Sequence, residues 1–404
     1  MALLTAASPE AVQIPLAMLV VFGSAKLLAE VFERLKQPGI VGEILAGILI
    51  GPSVLAWIAP SAFLESLAQL GVMFLLFRVG LEVKSSDLLE AGPTATLVAT
   101  LGVVAPFFLG WGILLLWREP QIEAVFAGAA MVATSVGITA EVLSSKGLLS
   151  ARASKIILAA AVIDDVLGLL VLAFVSNLAR GRVNVPGLML TAAAALGFTL
   201  IVATWGARAA RHMVPRVEQR LRIQEGQFAL AMCLLFTLSL AAVYAGVAAI
   251  VGAFLAGMAL SESAGRRVHD LAHGVTELLV PFFLVGIGLH LDVGVFRRPT
   301  TLALALAILA AAIVSKLVGC GLGAYKLGRK DALRVGIGMM PRGEVGLVVA
   351  QIGQSMGIIG PQVYAVVVFM AVATTLIAPP MLVAAFRGMT PPQGGPEEEL
   401  FRLG

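Results

Sequence analysis

The 404-residue sequence is 59% hydrophobic and only 13% charged, where an ordinary soluble domain carries about 25% charge. Its 28 Lys and Arg against 24 Asp and Glu give a formal charge of +4. Long apolar runs recur from Val12 to Phe386, so the chain reads as one membrane domain and not as a soluble enzyme or a nucleic-acid-binding protein.

Residues 1–12 hold no Lys or Arg, so the positive start of a signal peptide is missing and the first apolar run is expected to stay in the protein. Cut at polar and Pro/Gly clusters, the chain predicts thirteen spans, each near the roughly 20 residues that cross the hydrocarbon. They run approximately 12–33, 40–58, 63–83, 94–117, 123–144, 153–178, 187–207, 223–243, 246–262, 273–291, 300–325, 332–356 and 362–386. The tail Pro391–Gly404 is Pro/Gly-rich and acidic and reads as disordered, with no soluble regulatory or nucleotide-binding domain expected. Cys233 and Cys320 lie in apolar runs and read as packing residues. The histidines (His212, His269, His273, His290) lack metal-ligand spacing.

Lys and Arg in the loops test that division. With the N-terminus outside, the cytoplasmic segments hold 19 of them and the outer segments hold 5. The chain is therefore expected to start outside and end in the cytoplasm. The excess base then faces anionic lipid, and no nucleic-acid partner is needed.

Several strings recur at a shared offset. Leu45-Ala46-Gly47 returns as Leu255-Ala256-Gly257, 210 positions on; Gly80-Leu81 returns as Gly288-Leu289, 208 on; Val136-Gly137-Ile138 returns as Val345-Gly346-Leu347, 209 on. This offset covers seven predicted spans, an odd number, so matching helices would cross in opposite directions. Six helices, a linker helix and six inverted helices is a transporter architecture.

Four basic residues fall inside spans: Lys26, Arg78, Lys316 and Arg342. Each needs a partner, since a charge at mid-membrane costs about 2.5–3.5 kcal/mol on insertion scales. Glu30 and Glu82 stand four residues after Lys26 and Arg78 and predict local pairs on one helix face. Lys316 has no such neighbour. Asp164 and Asp165 stand at the centre of the sixth span. Adjacent helix positions diverge by about 100°, and two ionised carboxylates repel in low dielectric. Such a pair suits a site that holds a proton and a hard cation such as Na⁺ by turns. Two spans look broken, the twelfth at Pro341-Arg342-Gly343-Glu344-Val345-Gly346 and the fifth at Ala133-Thr134-Ser135-Val136-Gly137-Ile138-Thr139. Arg342 and Glu344 are candidates to compensate the helix ends, and Thr134 and Ser135 to give an ion neutral oxygens.

With Gln37-Pro38, Gly42-Glu43-Ile44-Leu45-Ala46-Gly47, Ala161–Gly168, Ser315-Lys316-Leu317 and Arg342–Gly346, these stretches resemble the monovalent cation:proton antiporters, most closely the NapA-type sodium/proton antiporters of the NhaA fold. The resemblance implies that Asp165 binds sodium or a proton in turn. Asp164 would pair with Lys316, which releases a proton when sodium enters, and both aspartates would serve as sodium ligands. It implies electrogenic exchange, Li⁺ as a possible second cargo, no cofactor, and a homodimer in the bilayer of a bacterial inner membrane. A dimerisation domain would comprise 1–93 and 222–298, and a moving ion-transport core 94–180 and 299–388. A linker at 181–221 and the tail at 389–404 would complete the chain. Rival readings are a potassium/proton antiporter, an organic-anion symporter, and an intramembrane aspartyl protease, whose two carboxylates would have to converge on one water.

Overall fold

The computed structural model describes residues 9–83, 85–179, 185–206, 208–209, 212, 225–342 and 344–389. The tail Pro391–Gly404, Lys84, Arg180, Arg182 and most of the basic loop before Glu225 lie outside them. Every regular element among the described residues is helical. In chain order these are α1 (Pro9–Arg34), α2 (Gly39–Ile50), α3 (Ala62–Leu81), α4 (Ser85–Leu116), α5 (Gln121–Ala130), α6 (Val136–Ser145), α7 (Arg152–Ala179) and α8 (Val185–Ile201), the last continued by a π-type turn. Then follow α9 (Gly226–Tyr244), α10 (Ala249–Leu260), α11 (Arg266–Leu289), α12 (Pro299–Gly323), α13 (Arg329–Gly338), α14 (Glu344–Ser355) and α15 (Pro361–Ala385).

Each predicted span corresponds to one of these helices or to a consecutive pair. Among the described residues, seven helical stretches are long and apolar enough to cross a membrane by themselves. Of the remaining spans, those of α2 and α10 are short and the fifth and twelfth are interrupted. The span expected over 40–58 is only twelve residues long, because Gly51 turns extended and Pro52 cannot continue the helix. Gly246, at φ +78°, ends α9 and separates it from the equally short α10. Twelve residues rise only about 18 Å, well short of the hydrocarbon thickness. These two helices are accordingly packed among others; every residue of α10 from Ile250 to Leu260 is buried.

Two of the three recurring strings mark close helix crossings. A Cβ on Gly47 would strike the carbonyl of Val285, and one on Gly257 would strike that of Phe77. Gly288 lies likewise against Ile44 O, and Gly80 against Phe254 O. So α2 crosses α11 at Gly47/Gly288 as α10 crosses α3 at Gly257/Gly80, each backbone against backbone. Gly42 on Leu28 O and Gly252 on Leu238 O repeat the relation between α1–α2 and α9–α10.

Two groups of helices result. In one, α1, α2, α3, α9, α10 and α11 pack on each other; in the other, α4, α5, α7, α12, α13, α14 and α15 do, with α6 against α7 and α15. The groups meet where α3 packs on α6 and α2 on α15. One local expectation fails. Lys26 does not pair along its own helix: its Nζ lies 3.1 Å from Glu43 Oε1 on α2, and Glu30 binds Arg34 Nε at 2.8 Å. The buried Glu43, with no other cation so close, outcompetes an exposed neighbour one turn away. Arg78 also reaches off its helix, its Nη2 donating to Ser144 Oγ on α6 at 2.9 Å.

Candidate functional site

The fifth and twelfth predicted spans are both broken, and their unwound segments touch. α5 stops at Ala130 and α6 starts at Val136; α13 stops at Gly338 and α14 opens at Glu344. Between them, Ser135 N–H donates to Pro341 O at 2.8 Å. Such a break leaves carbonyls without intrahelical partners and a partial negative charge at the end of α5 and of α13. Arg342, fully buried, donates from Nη1 to Val132 O (2.9 Å) and Ala133 O (3.2 Å), just beyond the end of α5. Thr139 Oγ1 donates to Gly338 O at 2.6 Å, and Thr134 Oγ1 to Met339 O at 3.4 Å, at the end of α13. Each unwound segment is thus capped by side chains of the other. The Glu344 side chain lies outside the described residues, though its backbone starts a helix, where an acid suits the dipole.

Asp164 and Asp165 stand in the middle of α7, 0% and 4% exposed. Their one-step separation sends them to different neighbours, as helix geometry requires. Asp164 is held on both oxygens. Its Oδ1 accepts from Lys316 Nζ of α12 at 3.1 Å, and its Oδ2 accepts from the backbone N–H of Thr134 at 3.0 Å. Lys316 is 0% exposed and packs over Gly102 of α4, where a Cβ would come within 3.3 Å of Nζ. The pair is therefore a buried ion pair linking α7 to α12, with the first break tied to it. Asp165 instead lines a cavity of about 10 Å³ with Leu76 of α3, Val136 of α6, and Val251 and Phe254 of α10. It faces the seam between the two helix groups.

Thr134, Ser135, Asp164, Asp165, Lys316 and the Arg342 side chain are all buried around this crossing. The carboxylates do not converge on one point, as an aspartyl protease would need. Among the described residues no three His, Cys, Asp or Glu side chains gather to hold a metal ion. Thr134 and Ser135 bring two hydroxyl-bearing residues to the same buried crossing as the two carboxylates.

Sequence reasoning missed the partner of the second break. Arg342 N–H donates to Thr374 Oγ1 of α15 at 3.0 Å. Thr374 stands 210 positions after Asp164, so the repeat offset applied to the aspartates would have found it. Thr139 and the half-buried Glu141 on α6 were also missed.

A model of the sodium/hydrogen exchanger transmembrane family matches residues 18–388. The chain is 33% identical over 415 aligned positions to the high-affinity Na(+)/H(+) antiporter NhaS3 of Synechocystis sp., covering 92% of this chain and 90% of that one. It is 34% identical to the Na(+)/H(+)-K(+) antiporter GerN of Bacillus cereus, covering 90% of this chain and 94% of that one. In structure it is similar to the sodium proton antiporter MjNhaP1 of Methanocaldococcus jannaschii, with a TM-score of 0.66 at 19% identity over 92% of this chain and 96% of that chain.

Proposed function

This chain belongs to the sodium/hydrogen exchanger family, and from that premise we propose that it exchanges sodium for protons across a bacterial inner membrane, with Asp165 carrying either ion in turn. The observation that carries this reading is a pair of adjacent buried carboxylates set beside the crossing of two broken helices. Asp164 is engaged on both oxygens by Lys316 and Thr134, while Asp165 lines a cavity at the seam between helix groups. A carboxylate buried to this degree is costly to keep charged, so taking up a proton or a cation stabilises it. Sodium and a proton are mutually exclusive there, and that exclusion is what couples their movements.

Sodium favours oxygen ligands. Asp165, Asp164, Thr134 and Ser135 are the groups around the crossing that supply them. Sodium drawn toward Asp164 weakens its bond to Lys316, whose ammonium then gives up a proton. With the proton from Asp165, that makes more than one proton per sodium and an exchange that moves net charge. The group carrying the aspartates slides as an elevator against α1–α3 and α9–α11, which form the contact of a homodimer. The N-terminus lies outside and the C-terminus in the cytoplasm. Because sodium binding releases one proton from Asp165 and one from Lys316, apparent sodium affinity falls as pH falls, by about a hundredfold per pH unit where both groups are protonated and about tenfold where only one is.

A potassium reading stands second, since the name of GerN includes K(+) and the two chains match nearly end to end. Proteoliposomes holding a pH-sensitive dye decide between them. Proton movement driven by Na⁺ or Li⁺ and altered by membrane potential is the expected result. A response to K⁺ alone would move the function to potassium exchange, and no response to any of the three would end the antiporter reading.

A further inference from the structure

A second polar cluster sits at the seam, away from the aspartates. Lys26 of α1, Glu43 of α2, Glu141 of α6, and Thr276 and Glu277 of α11 line a cavity of about 40 Å³. That is room for one water. Lys26 Nζ lies 3.1 Å from Glu43 Oε1 and 3.6 Å from Glu277 Oε2, and His273 Nδ1 stands 3.9 Å from Glu277 Oε1. Arg78 of α3 crosses to α6 at Ser144, one turn beyond Glu141. Glu33 of α1 acts on Glu43 from farther off. Of the other helices packed on α6, α15 has no charged residue, and α7 brings Arg152 and Lys155 at its start and the aspartates at its middle.

Two features of this cluster need an occupant. Glu43 is 6% exposed, and its Oε2 is buried without a hydrogen-bond partner among the described residues; the same holds for Glu141 Oε2. Glu277, whose side chain is half exposed, adds a third carboxylate at the solvent side of the cluster. A buried acceptor without a donor is costly. A proton answers that cost, because it turns a carboxylate oxygen into a donor. A metal ion is the poorer occupant, since the Lys26 ammonium already lies 3.1 Å from Glu43 Oε1 and would repel it.

We propose that this cluster is a second proton-binding site, centred on Glu141 and Glu43, separate from Asp165 and bridging the two helix groups. Glu141 stands six residues beyond Ser135 on α6, about 9 Å along the helix from the crossing. Glu141 belongs to the group that holds the aspartates, and Glu43, Lys26, Arg78 and Glu277 belong to the other. A proton shared here ties α6 to α2. Its loss leaves like charges facing each other across the seam.

The site is read directly by infrared difference spectroscopy of the purified full chain in lipid, titrated from about pH 5 to 9. Working in the Asp165→Asn variant silences that carboxyl and makes the outcome independent of whether the chain exchanges sodium. A protonated-carboxyl band near neutral pH, lost or shifted in Glu141→Gln and in Glu43→Gln, is expected. Glu141→Asp, which keeps an acid and moves the band, serves if Glu141→Gln does not fold. No such band, or a band that none of these changes alters, would overturn the proposal.

Discussion

Thr134 and Arg342 occupy corresponding places in the two broken helices, and each donates its backbone N–H to the long helix that follows. Thr134 N–H finds Asp164 on α7, and Arg342 N–H finds Thr374 on α15, at 3.0 Å in both cases. Thr374 and Thr375 satisfy their own hydroxyls within α15, through Ala371 O at 3.0 Å and Val372 O at 2.7 Å. Asp164 has no such internal remedy and takes Lys316 from another helix. A hydroxyl is therefore enough to anchor a break, and the aspartates of the first half exceed what anchoring requires. That excess charge is where we locate the ion chemistry, and the second half, with Arg342 set against the end of α5, serves as its structural counterpart.

The sharpest way to break this comparison is to give the first half the residue of the second. Asp164→Thr keeps an acceptor for Thr134 but strands the Lys316 ammonium, and is expected to cost about 3–5 kcal/mol, the usual loss when one member of a buried pair is removed. Adding Lys316→Met should recover most of that stability without restoring exchange, as thermal unfolding and a double-mutant cycle would show. Failure to recover would mean the pair is not the interaction that matters. Smaller is the effect at the glycine crossings. Gly47→Ala and Gly257→Ala each drive a methyl into a carbonyl of the opposing helix, so both should destabilise by about 1–3 kcal/mol and by similar amounts. A large inequality between them would argue against equivalent halves. Smallest is Thr374→Val, which removes one acceptor from Arg342 N–H at about 1 kcal/mol and should leave sodium dependence unchanged.

What the sequence made legible follows from how far its rules reach. The aspartate pair, the isolated Lys316 and both breaks stand out because charge, Pro and Gly are conspicuous in apolar spans. The i, i+4 rule sees only one helix, so it offered Glu30 to Lys26 when the partner was Glu43, seventeen residues away on the next helix. Glu141 escaped notice because nothing near it in sequence marks it; its surroundings come from α1, α2, α3 and α11. Span 40–58 was drawn through Gly51-Pro52 because composition stays apolar beyond the point where the backbone stops being helical. Thr374 was within reach, since the repeat offset points to it from Asp164.

The central claim is that sodium displaces a proton from Asp165, and it is tested without a membrane potential or a vesicle. Purified protein in weakly buffered detergent is titrated with NaCl while released protons are counted, choline chloride serving as the ionic-strength control. Wild type should release protons on sodium addition, Thr375→Val should do the same, and Asp165→Asn should release none from that carboxyl and bind sodium far more weakly. Undiminished, sodium-specific proton release from Asp165→Asn would contradict the account.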